Sequence, residues 1–200
     1  AADRNSSEAR NLMSELRTRH VNLASDLLEQ SPALKENAVA RVNSICDSLE
    51  ELVNAVCAVG ELSDRNKAII ISNGELLSST IICFVMNAKG IRTNFIDARK
   101  MMITSNEYLK AEPDVNEISA RVPEIVGEAF KGMDAVITQG FIGSNHSSEQ
   151  TVLGRGGSDY SASLIGMALD AECIEIWTDV DGVRSADPRT VENTRYLEKI

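Results

Sequence analysis

The segment 151–164, TVLGRGGSDYSASL, sets Gly154, Arg155, Gly156, Gly157, Ser158 and Asp159 immediately before a helix-forming run. Glycines at these positions let the backbone take conformations closed to other residues and let a ligand approach the main chain. The unpaired N–H groups of the following helix start, with the dipole behind them, favour an anion. Ser158 suits the N-cap. Arg155 carries a planar fork that matches a carboxylate or phosphate in two-pronged fashion. The loop is not a Walker A motif, because no Gly-Lys-Ser/Thr follows, and Asp159 stands where a dinucleotide fingerprint needs its third glycine. A tight strand-to-helix turn with glycine for sterics alone is the alternative reading.

Other residues could join that chemistry. Glu75 is expected to open a helix, where the dipole favours a carboxylate, and taken alone it reads as a capping residue. The stretches TDVDG (178–182) and ADPR (186–189) have turn composition and the same ambiguity.

The elements that must position these residues follow from periodicity. Leu12, Leu16, Leu23 and Leu27 form a helical stripe. After Ser31-Pro32, a good cap and first-turn pair, a second stripe runs through Ala38, Val42, Ile45, Leu49, Leu52 and Val56. These predict two packed antiparallel helices over a helical region 1–62. From 63 to 200 the pattern turns α/β. Strands are expected at Ala68–Ser72, Arg92–Asp97, Ala135–Gln139 and Ile174–Thr178. Helices are expected at Glu75–Lys89, about Val115–Lys131 with a break at Pro123, and Ser158–Leu169. Residues 141–154 read as a hairpin whose loop carries His146 as an ordinary solvated side chain. Apolar strands alternating with helices predict a mostly parallel sheet covered on both faces, a three-layer α/β/α sandwich. Ligands gather beyond the carboxyl ends of such strands. There lie Asn73-Gly74-Glu75, Asp97, Gly140 and Asp179.

Composition bounds the partners. With 43% hydrophobic residues but only 4% aromatics the core is aliphatic, and a net charge of −10 argues against a nucleic-acid surface. Cys46, Cys57, Cys83 and Cys173 lack metal or redox spacing and read as buried free thiols, and His20 and His146 are too few for zinc. No 18-residue apolar run or signal pattern occurs, so neither a membrane nor a metal site is expected, and the setting is cytoplasmic.

The motifs TQGFIGSN, LGRGGSDYSA, EIWTDVDGV and ADPR appear in order, with SNGELLSS, FIDAR and KAEPD upstream. Together, from about Ala68 to Ile200, they resemble aspartate kinases of the amino-acid kinase family. The resemblance implies transfer of the γ-phosphoryl group of ATP, with Mg²⁺, to the β-carboxylate of L-aspartate, towards lysine, threonine and methionine. It places Glu75, Arg155 and Ser158 at the aspartate, and Asp159 with Arg155 at the catalytic centre. The nucleotide falls to Gly156, Gly157, Thr178, Asp179, Arg184 and Arg189, although Arg184 stands where many relatives carry tyrosine. The family's lysine strand, KFGG, and its regulatory ACT domains have no counterpart here. The resemblance therefore implies a partial catalytic domain, inactive alone, from a homo-oligomeric and allosteric parent, either monofunctional or fused to homoserine dehydrogenase. The alternatives are a related kinase acting on another acid and a non-catalytic binding or oligomerisation module; a nicotinamide-binding domain is more remote.

Overall fold

The computed structural model describes residues 6–177, 182, 184–186 and 190–197. Helices α1 (Ser6–Leu27), α2 (Pro32–Val59) and α3 (Asp64–Ala88) come first. The α2 stripe does as the spacing predicts, whereas on α1 the helix forms but Leu12, Leu23 and Leu27 of the expected stripe are exposed and the chain packs through Ala9, Met13, Ala24 and Leu28 instead. Ala24 and Leu28 meet Ala38, Val42 and Cys46, while Ala9 and Met13 meet Leu49 and Val53, so α1 and α2 run antiparallel. Pro32 occupies the first turn of α2, but Ser31 makes no side-chain cap bond.

The first expected strand is a helix. AIIIS (68–72) lies inside α3, which starts where Ser63 Oγ accepts from Asn66 N at 3.3 Å. Leu77 and Ile81, one turn apart, are buried against α2, and Ala68 is buried on the opposite side of the helix. That packing outweighs the modest strand preference of three isoleucines. The buried polar groups of α3 bond to their own helix: Ser72 Oγ donates to Ala68 O and Asn73 Nδ2 to Ile69 O at 2.8 Å. Glu75 therefore sits in mid-helix and opens nothing. By length and composition α3 could also cross a membrane, but here one stripe packs on α2 and another on the hairpin below.

Beyond α3 the chain alternates. It forms β1 (Thr93–Phe95), a 3-10 turn (Ala98–Lys100), β2 (Ile103–Thr104), α4 (Val115–Ala129), β3 (Ala135–Ile137), β4 (Ile142–Asn145), β5 (Gln150–Val152) and α5 (Gly157–Ala168). β1 pairs parallel with β3, Asn94 opposite Val136. β2 pairs parallel with β4, and β4 turns back antiparallel onto β5, which is the expected hairpin. The strands thus form two short sheets instead of one continuous one. Asp114 caps α4 by accepting from Asn116 N and Glu117 N, both at 3.1 Å. Pro123 does not break α4, because Ile118 and Val122 anchor the helix in a core with Met101, Met102 and Leu164.

Two further expectations are corrected. Ile174–Trp177 is not a strand; it has no ladder partner among the described residues, and Trp177 is 89% exposed. The remainder of that expected strand, Thr178, lies outside the described residues. All four cysteines are free as read, yet only Cys46 is buried; Cys57 and Cys83 are half-buried and Cys173 is exposed.

Candidate functional site

The glycine loop is built by its backbone. Gly154 and Gly156 have φ of 80° and 74°, the left-handed region that glycine enters without strain. Gly156, not Ser158, caps α5, and it offers no side chain to the first-turn N–H groups. Gly157 N is taken by Gly154 O at 3.1 Å, which leaves the N–H groups of Ser158 and Asp159 for a ligand. Ser158 is instead the second residue of α5, and Asp159 an acidic residue of its first turn, where the helix dipole favours a carboxylate.

A short segment after β3 clamps the loop. Ser161 Oγ donates to Gly157 O at 2.7 Å and accepts from Phe141 N at 2.9 Å. Phe141 also takes the hydrogen bond of Leu153 N through its carbonyl at 2.9 Å. Its φ of 68° is costly for a bulky residue and persists because these bonds hold it. Gly140 packs tightly beside it: a Cβ there would lie 2.9 Å from Ser158 Cα.

The loop and α3 face each other across a cleft of about 360 Å³ lined by Glu75, Phe141, Gly154, Gly156, Gly157, Ser158 and Asp159. The fold thus brings together Glu75 and the loop residues, although Glu75 arrives by an unexpected route. Its carboxyl is half-buried and has no hydrogen-bond or ion-pair partner among the described residues. Burial pushes its pKa up. Such a group gains from a cationic ligand that restores its charge.

Arg155 lies on the loop between two lining glycines, exposed and without a bonded partner among the described residues. Arg184 is already engaged: Nη1 donates to Thr194 Oγ1 at 3.0 Å, Nη2 donates to Tyr196 Oη, and the guanidinium stacks 4.0 Å over the Tyr196 ring. Thr178, Asp179 and Arg189 lie outside the described residues. Phe141, Ser161 and Gln139 escaped the sequence reading. The positive φ and buried bonds that mark them depend on tertiary neighbours, and only the glycine preceding Phe141 hinted at a close approach.

Among the described residues no group of three or more His, Cys, Asp or Glu side chains could cage a metal. Magnesium needs no such cage, since it is commonly held by one or two carboxylates together with substrate phosphates. Asp159, exposed at the cleft, fits that requirement.

The fold is an α/β domain with a glycine loop facing a helix across one cleft, and the sequence pattern of the amino acid kinase family matches residues 7–200. The chain belongs to that family. Within it, the chain is similar to lysine-sensitive aspartokinase 3 of Escherichia coli (strain K12), 33% identical over 168 residues, covering 79% of this chain and 36% of that protein. It is also similar to the bifunctional aspartokinase/homoserine dehydrogenase of Buchnera aphidicola, 35% identical over 155 residues, covering 77% and 19%. A crystal structure of E. coli aspartokinase III in complex with aspartate and ADP, in its R-state, superposes with a TM-score of 0.71 at 27% identity over 89% of this chain and 44% of that one. The chain spans about a third or less of the length of these two curated relatives.

Proposed function

We propose that this chain supplies the substrate cleft of an aspartate kinase, which transfers the γ-phosphoryl group of ATP to the β-carboxylate of L-aspartate. The observation that carries the reading is the meeting of Glu75 with the Gly154–Asp159 loop across one cleft. The aspartate and ADP held by the superposable aspartokinase III support it.

Each residue has a chemical task. Arg155 pairs with the α-carboxylate, and Glu75 takes the ammonium. The β-carboxylate, ionised at neutral pH, needs no general base. One of its oxygens attacks the γ-phosphorus, the bond to the β,γ-bridging oxygen breaks, and ADP leaves with 4-phospho-L-aspartate as the other product. Catalysis then rests on positioning and on neutralising the moving charge. The N–H groups at the start of α5, Gly156 and Gly157 cradle phosphate, and Ser158 adds a hydroxyl. Asp159 would hold magnesium, which supplies charge neutralisation between the phosphates when bound. Thr178, Asp179, Arg184 and Arg189 complete the nucleotide side in this reading. Arg184 would have to leave Tyr196 to do so. The reading carries with it a cytoplasmic homo-oligomer in the longer protein, with small molecules and not nucleic acid or membrane as partners.

One feature of the cleft favours a second reading. Its described lining holds two carboxylates and no lysine or arginine, which suits ligand binding without turnover by this chain alone.

Calorimetry with L-aspartate and with succinate, which lacks the ammonium, tests the assignment. The expected result is tighter binding of aspartate, with Arg155→Ala weakening both ligands by about 10- to 100-fold, the size of a lost charge-assisted pair. Equal affinity for the two ligands, or an Arg155→Ala chain that binds them unchanged, overturns it. ADP release in the presence of MgATP and aspartate then separates catalysis from binding alone.

A further inference from the structure

A second and larger cavity, about 670 Å³, shares no lining residue with the glycine cleft. Arg65 of α3, Arg99 and Lys100 of the 3-10 turn, Arg121 of α4, and His146 and Gln150 of the hairpin line it. In a chain of net charge −10, cations from three separate elements converge here. The one carboxylate in the lining is Glu149.

The local ion pairs fix these cations without using them up. Glu149 Oε1 lies 3.1 Å from Arg65 Nε, and Glu117 Oε2 takes Arg121 Nε at 2.7 Å. The terminal nitrogens of both guanidiniums keep no partner among the described residues. Asp97 binds Arg99 through Nε and Nη2, while Arg99 Nη1 donates to Gln150 Oε1 at 2.7 Å. Lys100 has no ion-pair partner among the described residues. Gln150 adds the decisive detail: its side chain is 9% exposed, yet its amide Nε2 has no hydrogen-bond acceptor. A buried donor left unpaired is destabilising.

We infer that the Arg65–Arg99–Lys100–Arg121 cavity binds a small anion carrying a phosphate group, at a site separate from the substrate cleft. Several cations spread over one cavity suit a group with oxygens on every side; guanidinium forks and an ammonium point charge are its usual partners. Binding of this kind weakens as salt rises. The inference stands apart from the kinase reading, since no residue is common to both sites.

The test is calorimetry of the full 200-residue chain at low ionic strength with orthophosphate, pyrophosphate and citrate. One equivalent of pyrophosphate binds, orthophosphate binds more weakly at the same site, and citrate binds less tightly than pyrophosphate. Lys100→Gln and Arg121→Gln, both on exposed side chains, each weaken pyrophosphate at least tenfold, and Arg155→Gln leaves it unchanged. Should either variant lose its fold, acetylation of Lys100 in the unmodified chain gives the same answer, because pyrophosphate slows it at least tenfold. No binding, tighter citrate than pyrophosphate, or pyrophosphate binding that survives both cavity variants and vanishes in Arg155→Gln overturns the site. Acetylation unaffected by pyrophosphate overturns it equally.

Discussion

Gln139 Nε2 donates to Ser79 Oγ at 2.9 Å, one helical turn beyond Glu75, and Ser79 Oγ in turn donates to Glu75 O. The other end of the same amide, Oε1, accepts from Ala98 N at 2.9 Å. Only 2% exposed, this one side chain ties the end of β3 to α3 and to the turn after β1. Gln139→Leu keeps the bulk but strands the Ala98 N–H in a dry interior. Urea unfolding is expected to show a loss of about 1–3 kcal/mol. An unchanged midpoint would mean that water replaces the amide.

Gly140 is the next residue, and its lack of a side chain lets α5 approach. A Cβ would sit 2.9 Å from Ser158 Cα and 3.2 Å from Ser158 Cβ, against backbone that cannot swing aside. Gly140→Ala should lower stability by about 1–3 kcal/mol, the usual range for overpacking. It should also displace the start of α5, so that ligand binding at the glycine cleft falls further than stability alone explains. Full binding with a normal melting curve would show that α5 shifts freely.

Glu75 makes a pH-dependent prediction. Burial holds its carboxyl above the ordinary range, so the folded chain keeps this proton at pH values where the unfolded chain has lost it. Its contribution therefore falls as pH rises from the unfolded value through the folded one. Glu75→Gln removes that slope, which stability measured across the weakly acidic range will reveal. An ammonium ligand favours the ionised form, so aspartate binding in this window should release protons and tighten as pH rises. Calorimetry in buffers of different ionisation enthalpy reads the release directly. Binding without proton release would separate Glu75 from the ammonium.

Gly74 offers the opposite sign. It lies within α3, and a Cβ there meets nothing within 4 Å. Gly74→Ala should raise stability by about 0.5–1 kcal/mol through helix propensity. The urea midpoint should rise with the slope unchanged. If aspartate affinity nevertheless drops, the open space beside Glu75 belongs to the ligand.

The sequence by itself determined those parts whose physical signal is local. The α1 helix (though not its buried face), the α2 stripe, the runs that became β1 and β3, the polar hairpin loop and α4 were all legible. So was the loop Gly154–Asp159, because left-handed backbone at Gly154 and Gly156 requires its residue type. Tertiary structure decided the rest. AIIIS satisfies its backbone within one helix once Leu77 and Ile81 are drawn onto α2, whereas IEIW found no ladder partner among the described residues. A helix supplies its own hydrogen bonds; a strand must borrow them from a segment that local pattern does not name. For the same reason the cap fell to Gly156 when Ser158 was drawn into α5. Glu75 came to face the glycine loop although 79 residues of chain lie between Glu75 and Arg155. The basic cavity, assembled from residues between 65 and 150, left no spacing to read, because its charges meet only after helices and hairpin have packed.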